Sequence, residues 1–378
     1  MSCLRKAVLI TYPFEEAIKE ATSLADTVGY SVERIVKQRH ITQSRYGIGR
    51  GKAEEVKELV KQLEPEVIIF DEVLKPTQQY NLASLCQVEI IDRERLILEI
   101  FERRASTAES RIQIKLAQLR YDMVRAREKV RLAKIGEQPG FFGMGKYDAD
   151  IYYLDINKRA AVLKKKLERE EKRRDLHRVQ RSKAGLSIVS IAGYTSAGKT
   201  TLFNTLTGES KNAGQGLFTT LSTFTRAMKF NTRKVLVSDT VGFISKLPPY
   251  MIDAFKSTLH ELTHSNLILL VLDISQSIEE IGRKLDSCIH IMNELGVPMT
   301  KVLYVLNKVD LISIDDAFDK SEYLGIPDSK KHILPVSAKT GFNITQLKNL
   351  ISLLVFPDEE QTAEEPVSLE ETNESRSS

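Results

Sequence analysis

The 378-residue sequence is poor in cysteine and lacks long apolar runs. Its three cysteines, Cys3, Cys86 and Cys288, show no paired spacing, which argues against a disulfide scaffold and a structural zinc site. The longest apolar stretches, residues 267–272 and 351–356, are far too short to cross a bilayer. We therefore expect a cytoplasmic protein in a reducing compartment, without a membrane span.

The charges are unevenly distributed along the chain. The formal net charge is only +4, with 42% hydrophobic and 28% charged residues, which is typical of a globular protein with two or more domains. Basic residues concentrate at positions 111–134 and 158–183. Residues 357–378 are acidic, with Ser, Thr and Pro and almost nothing apolar, so we expect a disordered tail there.

The first segment, residues 1–92, alternates strand-like and helix-like runs, which predicts a small α/β domain with a mainly parallel sheet. Its first apolar run, residues 7–12, is followed by Glu15 and Glu16, so it predicts a strand and not a signal peptide. The segment RYGIGRGK, residues 45–52, lacks the full phosphate-loop spacing. A glycine turn before a helix is favoured over a second phosphate or RNA contact.

Residues 93–184 predict two long helices that form a basic, coiled-coil-like hairpin. Apolar residues recur at intervals of three and four, and a glycine-rich break at residues 139–145 separates the two arms. The alternative for the charges is a solvated face with pairs such as Glu168 with Lys172. Because cations outnumber acids over both arms, a polyanionic partner is favoured.

Four motifs occur in one order: GYTSAGKT (193–200), DTVG (239–242), NKVD (307–310) and SAK (337–339). The first fits the phosphate-loop pattern and lies between an apolar run and a helix-like segment. Its glycines allow backbone N–H groups to surround phosphate oxygens at a helix N-terminus. Together the motifs predict a guanine-nucleotide site.

Each motif supplies a different part of the chemistry. Lys199 is expected to reach the β- and γ-phosphates, and the Thr200 hydroxyl to ligate Mg²⁺. Asp239 would hold this ion through a water molecule. Gly242 lets the backbone approach the γ-phosphate and so register its presence.

The third and fourth motifs predict which base is bound. A carboxylate at Asp310 can accept two hydrogen bonds from N1 and N2 of guanine, a donor pair that adenine lacks, which favours GTP and GDP over ATP. Asn307 and Lys308 would brace the loop and pack on the base, and Ala338 would offer its N–H to O6. The predicted nucleotide-binding residues are Gly193, Tyr194, Thr195, Ser196, Ala197, Gly198, Lys199, Thr200, Thr201, Asp239, Thr240, Val241, Gly242, Asn307, Lys308, Asp310, Ser337, Ala338 and Lys339.

The predicted fold class is therefore α/β. A P-loop GTPase domain with a mainly parallel sheet occupies residues 185–356, preceded by the small α/β domain and the helical hairpin. The motif 193–200 falls at the carboxyl end of a strand, where open α/β sheets bind ligands. A pattern H-E-x-x-H at residues 260–264 could suggest a zinc protease, but it follows the DTVG motif and lacks a clear third ligand.

Three longer stretches, residues 91–122, 217–221 and 239–261, resemble the HflX-type GTPases, in particular their archaeal branch. This resemblance implies GTP hydrolysis with Mg²⁺, binding of the large ribosomal subunit through the hairpin and the N-terminal domain, and a role in ribosome splitting or rescue. It also identifies Thr220 as the switch I threonine that joins the metal and acts in catalysis with Lys199 and Gly242; Thr219 is the adjacent alternative.

The sequence departs from the family pattern at two places. Ser196 replaces an asparagine that can help to bind potassium, and residues 140–155 replace the usual hairpin-tip pattern. Phe243 stands where many small GTPases have a water-orienting glutamine, so we expect slow intrinsic hydrolysis that a partner such as the ribosome stimulates. Two alternatives are a GTP-gated RNA- or protein-binding module with negligible turnover and a GTP-dependent regulator whose hairpin docks on a protein.

Overall fold

The computed structural model describes most of the chain. Several predicted features lie outside the described residues: the switch I threonines, the hairpin tip at 139–145 and the acidic tail. The described residues are 4–41, 45–105, 107–135, 146–183, 185–209, 224–230, 233–246, 248, 250–251, 259, 261–326 and 332–356.

The N-terminal residues form a four-stranded parallel sheet in the order β2-β1-β3-β4. Alternate residues of β1 enter two different cores: Ala7 and Leu9 one, Val8 and Ile10 the other. Helices therefore cover both faces, as a parallel sheet requires, which agrees with the predicted α/β pattern. The elements are β1 (Arg5–Thr11), α1 (Glu15–Val28), β2 (Tyr30–Lys37), α2 (Arg50–Leu63), β3 (Val67–Phe70), α3 (Pro76–Cys86) and β4 (Glu89–Asp92).

The glycine-rich segment at residues 45–52 forms the turn before α2. Gly47 has φ 78°, and a Cβ there would lie 2.7 Å from Leu74 Cδ2 and 2.8 Å from Phe70 Cζ. Gly49 is the N-cap of α2. Gly47 thus allows a tight turn against the core, and the favoured prediction of a turn before a helix is confirmed.

The middle of the chain differs from the expected two helices. Helix α4 (Arg93–Arg104) is separate, and its residues Leu96, Ile100 and Phe101 are buried in the first core. A new helix, α5 (Ala108–Ile135), follows because the Thr107 hydroxyl accepts a hydrogen bond from the Ser110 N–H at 3.1 Å, which caps its first turn.

Helices α5 and α6 (Lys146–Lys183) pack against each other as a long pair. Ile156 is 2% exposed, and Arg174 of α6 bonds Glu109 of α5 at 2.6 Å. The Glu168–Lys172 pair that the spacing allows is not among the ion pairs formed by the described residues. The helical pair thus presents many unpaired cations to solvent.

The C-terminal part forms a six-stranded sheet in the order β10-β9-β8-β5-β7-β6, parallel except for the antiparallel pair β6–β7. This is the P-loop GTPase domain topology that the motif order predicted. Its described elements are β5 (Ser187–Gly193), α7 (Lys199–Thr207), β6 (Phe224–Phe230), β7 (Arg233–Asp239), β8 (Leu267–Asp273), α8 (Ile278–Glu294), β9 (Val302–Asn307), α9 (Ile314–Tyr323), β10 (Ile333–Val336) and α10 (Ile344–Val355).

Two negative findings concern the described part of the chain. Among its helices, not one combines the length and apolarity needed to cross a membrane. Cys86 and Cys288 are free and buried, and Cys3 lies outside the described residues.

Candidate functional site

The four motifs converge at the carboxyl edge of the second sheet. The motif 193–200 joins β5 to α7, and Asp239 ends β7. Asn307 ends β9, and Ser337 follows β10. Because these strands are parallel, their carboxyl ends meet at one edge, which is where this class of sheet binds ligands.

Neighbouring atoms leave room only for glycine at two positions of the first motif. Gly193 has φ 142°, and a Cβ there would lie 2.3 Å from the Val271 carbonyl oxygen on β8. Gly198 has φ 94°, and its Cβ would lie 2.3 Å from Asn307 Nδ2. The loop therefore has the left-handed backbone and tight packing that glycine permits, with the N-terminus of α7 directly behind it.

Lys199 is held inside this loop. Its Nζ donates to the Tyr194 carbonyl at 2.7 Å, and the residue is 7% exposed. Burial lowers the pKa of Lys199 to about 8, against the opposing effect of Asp239. A buried ammonium with so little compensating charge favours an anionic ligand, such as a phosphate.

The predicted metal ligands lie together. The Thr200 hydroxyl donates to Asp239 Oδ2 at 3.1 Å, and both residues are buried. Nearby in the loop, Thr195 Oγ1 is buried without a hydrogen-bond partner among the described residues. Hydroxyl and carboxylate oxygens are the donors that Mg²⁺ prefers, so this oxygen pair fits that ion. Thr220 lies outside the described residues.

On the base side, Asn307 joins two motifs. Its Nδ2 donates to the Ala197 carbonyl at 2.8 Å, and its Oδ1 accepts from the Ala338 N–H at 3.0 Å. The Ser337 hydroxyl donates to Asp310 Oδ1 at 2.6 Å, which orients an exposed carboxylate. Lys308 Nζ bonds Asp273 Oδ2 at 2.5 Å. These contacts bring the NKVD and SAK motifs together beside the phosphate loop.

The second motif packs directly on the first. The Phe243 N–H donates to the Gly193 carbonyl at 3.0 Å, and the Thr195 N–H donates to the Phe243 carbonyl at 2.9 Å. At Gly242 a Cβ would lie 2.9 Å from Thr195 Cγ2 and 3.0 Å from Lys199 Nζ. The DTVG segment therefore packs so closely on the phosphate loop that a side chain larger than that of glycine would not fit at position 242.

The other predicted residues occupy positions around this centre. Thr240 Oγ1 donates to the Ile191 carbonyl at 2.7 Å, and Val241 is buried. Ser196 is exposed with φ 63°, and Lys339 is exposed. Thr201, in the first turn of α7, is half-buried. Their contacts with nucleotide stay predictions.

The H-E-x-x-H pattern at residues 260–264 is described only in part. Glu261 and His264 are helical, and His260 lies outside the described residues. Within the described ranges, no cluster of three or more His, Cys, Asp or Glu residues could hold a metal ion.

A contact between the N-terminal and C-terminal domains was not predicted from the sequence. Tyr194, in the phosphate loop, donates from its hydroxyl to Glu20 Oε2 at 2.6 Å and accepts from the Ser245 N–H at 2.9 Å. Arg93 bonds Glu20 and also Asp71, the latter at 2.5 Å. We call these five residues the interdomain network.

A second ion pair extends this contact. Lys246 Nζ bonds Glu72 Oε2 at 2.6 Å and lies 4.1 Å from the centroid of the Tyr12 ring. The carboxyl edge of the first sheet, which supplies Tyr12, Asp71 and Glu72, thus abuts the segment after DTVG. Polar residues directly after β1, β3 and β4 were the signal that could have revealed it.

Within the interdomain network, Glu20 and Arg93 stabilise each other's charge, whereas burial raises the pKa of Asp71. Burial opposes ionisation of Glu20, but the Arg93 charge and hydrogen bonds from Tyr194, Arg93 and Ser245 outweigh it and lower its pKa. Burial also opposes the charge on Arg93, yet Asp71 and Glu20 raise the pKa of its guanidinium. Conversely, burial and the Glu20 charge raise the pKa of the Tyr194 phenol, which stays a hydrogen-bond donor.

Three family models match consecutive parts of the chain. "GTP-binding GTPase N-terminal" matches residues 15–102 and "GTP-binding GTPase Middle Region" residues 104–181. "50S ribosome-binding GTPase" matches residues 188–308. The first match covers most of α4, the helix that packs on the N-terminal sheet.

Similar proteins span most of the chain. It is 40% identical over 359 residues to the GTPase HflX of Thermococcus kodakarensis, covering 93% of this chain and 79% of that protein. It is 43% identical over 338 residues to the GTPase HflX of Methanocaldococcus jannaschii, covering 89% and 82%. A crystal structure of a GTP-binding protein from Sulfolobus solfataricus in complex with GDP is 28% identical, with a TM-score of 0.52 and coverage of 93% and 98%.

Proposed function

Because the chain belongs to the HflX family of GTPases and hydrolyses GTP as they do, we propose that it uses its nucleotide state to control binding to the large ribosomal subunit. Ribosome splitting or rescue in the cytoplasm would be the outcome of that cycle. The observation that carries this proposal is the meeting of four nucleotide motifs at one sheet edge, where Ser245 and Lys246, which follow DTVG, also contact the N-terminal domain.

Within the site, each group has a proposed role. Lys199 and the loop amides would bind phosphate, and Asp310, oriented by Ser337, would accept the guanine N–H donors. Thr200 would ligate Mg²⁺ directly and Asp239 through water; GTPases of this class generally use this ion, which neutralises phosphate charge. Thr220 would join it in the GTP state.

Phe243, the residue after DTVG, supports GTP hydrolysis that a partner stimulates. Phe243 is 3% exposed, and its backbone pairs with the phosphate loop. A buried phenyl ring has no group that can hydrogen-bond the attacking water. Intrinsic hydrolysis would therefore be slow, and a partner that orders the switches would supply the missing geometry.

The hairpin supports a polyanionic partner. With 100° between successive residues, eight positions of the α6 stretch from residue 158 to residue 176 fall within an arc of about 120°. Six of the eight are exposed cations, and Ile156, Leu163 and Leu167 lie on the opposite side, toward α5. We call the six cations the basic stripe: Lys158, Lys165, Lys166, Arg169, Lys172 and Arg173. Ribosomal RNA is the polyanion that we propose it meets.

GTP turnover measured with and without purified large subunits tests this function. We expect stimulation of about 100-fold or more, since ordering of a catalytic group is worth that much in related reactions. Lys199→Ala should abolish turnover in both conditions and serves as the baseline. Equal rates with and without subunits would refute ribosome activation and favour the binding-module alternative.

A further inference from the structure

The basic stripe is an exposed helix face whose cations have no partner in the described structure. No hydrogen bond or ion pair within the described ranges engages any of its six residues, whereas Arg174, on the other side of α6, pairs with Glu109. The two remaining positions of the same arc are apolar and exposed: Val162 at 54% and Leu176 at 67%. The surface therefore fits an acidic ligand that also carries a few apolar side chains.

The chain itself contains a segment of that composition. Residues 357–378 hold eight acidic residues and one basic residue. The acids occur mainly as adjacent pairs, such as Glu364 with Glu365 and Glu370 with Glu371, and Val367 and Leu369 lie between these pairs. Charge and apolar content thus both complement the basic stripe.

Residues 357–378 follow Phe356, which lies at the same edge of the sheet as the carboxyl end of α6. Phe356 is 8% exposed, and the Arg233 guanidinium lies 4.9 Å from the centroid of its ring. Arg233 begins β7, two residues before Val235, and Val235 pairs with Ser187 at the start of β5. Helix α6 ends at Lys183, four residues before Ser187. The acidic segment and the hairpin therefore begin at the same, amino edge of the sheet.

The distances are compatible with contact along the whole stripe. At 1.5 Å per residue, Arg173 lies about 15 Å and Lys158 about 38 Å from the end of α6. A 22-residue segment spans about 26 Å as a random coil and about 70 Å when fully extended. It can therefore reach the last cation of the stripe without full extension.

We propose that residues 357–378 bind the basic stripe of their own chain and compete there with RNA. The inference rests on the proposed function for the competing ligand, but the docking itself does not. Because the segment is tethered, its effective concentration at the stripe is on the order of millimolar, so even weak charge pairing would cover the surface. RNA of high charge density would displace it, which selects against weak, non-specific RNA contacts.

Docking is tested first without RNA. A carbodiimide joins carboxylates to lysine amines that they contact, and mass spectrometry then maps the cross-links. We expect the glutamates of residues 357–378 to cross-link to Lys158, Lys165, Lys166 and Lys172 at about 50 mM salt and to lose these links at about 500 mM. Cross-links confined to Lys229 and Lys234, exposed on the neighbouring strands β6 and β7, would overturn the proposal.

Competition is tested with a fluorescein-labelled RNA hairpin as the probe. A chain that ends at Phe356 keeps every described element, and we expect it to bind the probe about 5- to 20-fold more tightly than the full chain at low salt. Neutralising Glu364, Glu365, Glu370 and Glu371 to Gln should act in the same direction. The same four changed to Asp keep the charge and should leave affinity unaltered.

The cross-linking and RNA-binding measurements distinguish failure of the docking from failure of the competition with RNA. Equal affinities of the full and shortened chains for the probe would refute competition. If no variant bound RNA, the proposed RNA partner would be refuted together with the competition, and cross-links to the stripe would still establish the docking.

Discussion

At the residue scale, Asp310 is the side chain that we propose selects the base. Its carboxylate is exposed and fixed by the Ser337 hydroxyl at 2.6 Å, so one oxygen is already oriented before a ligand arrives. Among the described residues, Ser337 is the one hydrogen-bond partner of the exposed Asp310 carboxylate, which leaves its second oxygen accessible to a ligand. This arrangement depends on β9 and β10 being neighbours in the sheet.

We predict that Asp310→Asn will weaken GTP affinity about 100-fold or more and favour xanthine nucleotides, because the amide can donate where guanine needs an acceptor. Displacement of a fluorescent GDP analogue by GTP and by XTP measures both effects. Asp319→Asn, an exposed aspartate of α9 outside the motifs, is the matched control and should change neither affinity. Unaltered GTP binding by Asp310→Asn would disprove the base assignment.

Glu20 gives a pH prediction. Its pKa is lowered in the fold, so its contribution is present above the ordinary glutamate pKa of 4.5 and is lost as pH falls through the lower folded value. We expect Glu20→Gln to reduce the free energy of unfolding by about 1–3 kcal/mol at pH 7, because charged hydrogen bonds to buried Arg93 are removed.

The measurement is urea denaturation of both proteins from pH 7 down to pH about 4. The difference between wild type and Glu20→Gln should shrink as pH falls below about 4.5, because the unfolded wild-type carboxyl then takes up a proton before the folded one, whose pKa is lower. Glu16→Gln breaks an exposed pair with Arg283 and should cost less than about 0.5 kcal/mol at every pH. A difference that stays constant with pH would contradict the role of Glu20 ionisation.

At the element scale, the hairpin shows where periodicity predicts correctly and where it does not. Spacing of apolar residues indicated two helical arms with a basic exterior, and α5 and α6 exist. It did not detect the separation of α4 from α5, because a Thr107 cap interrupts the helix without changing its apolar period. Which helix joins which core was decided by packing of Leu96, Ile100 and Phe101.

We expect Lys165→Gln, Arg169→Gln and Lys172→Gln together to reduce the slope of log affinity for RNA against log salt by about 2 to 3, since each phosphate contact contributes about 0.7 to 0.9. Intrinsic GTP turnover should not change, because these residues lie far along α6 from the nucleotide motifs. Fluorescence anisotropy over a salt series measures the slope. Lys229→Gln with Lys234→Gln is the control pair on the second sheet, and a slope equal to wild type in the stripe variant would count against stripe–RNA contact.

At the scale of the whole molecule, the carboxyl edges of the two sheets face each other, and Arg93 connects them. Arg93 is 3% exposed and connects Asp71 and Glu20 of the first domain to the Ser245 carbonyl at 3.2 Å. The edge that binds ligands in such sheets is therefore occupied, in the first domain, by the second domain. A shift of the DTVG segment would necessarily alter this contact.

Arg93→Met leaves two carboxylates without their shared cation, and we predict a loss of about 3–5 kcal/mol. Since the arginine bridges both domains, the variant should unfold in two separate transitions where wild type unfolds with the domains coupled. Scanning calorimetry distinguishes these outcomes. Arg95→Met removes a half-exposed pair with Glu99 within one domain and should keep the coupled transition. An unshifted single transition in Arg93→Met would exclude the bridging role.

The sequence by itself determined the strands and the order of the motifs, and it predicted the roles of Lys199, Thr200, Asp239 and Asp310, because these depend on contiguous patterns: apolar runs and glycine spacing. Only the tertiary structure decided that α4 joins the first core and that Tyr194 meets Glu20, residues separated by 174 positions. Such contacts depend on which surfaces meet after each sheet has formed. No local period encodes that choice.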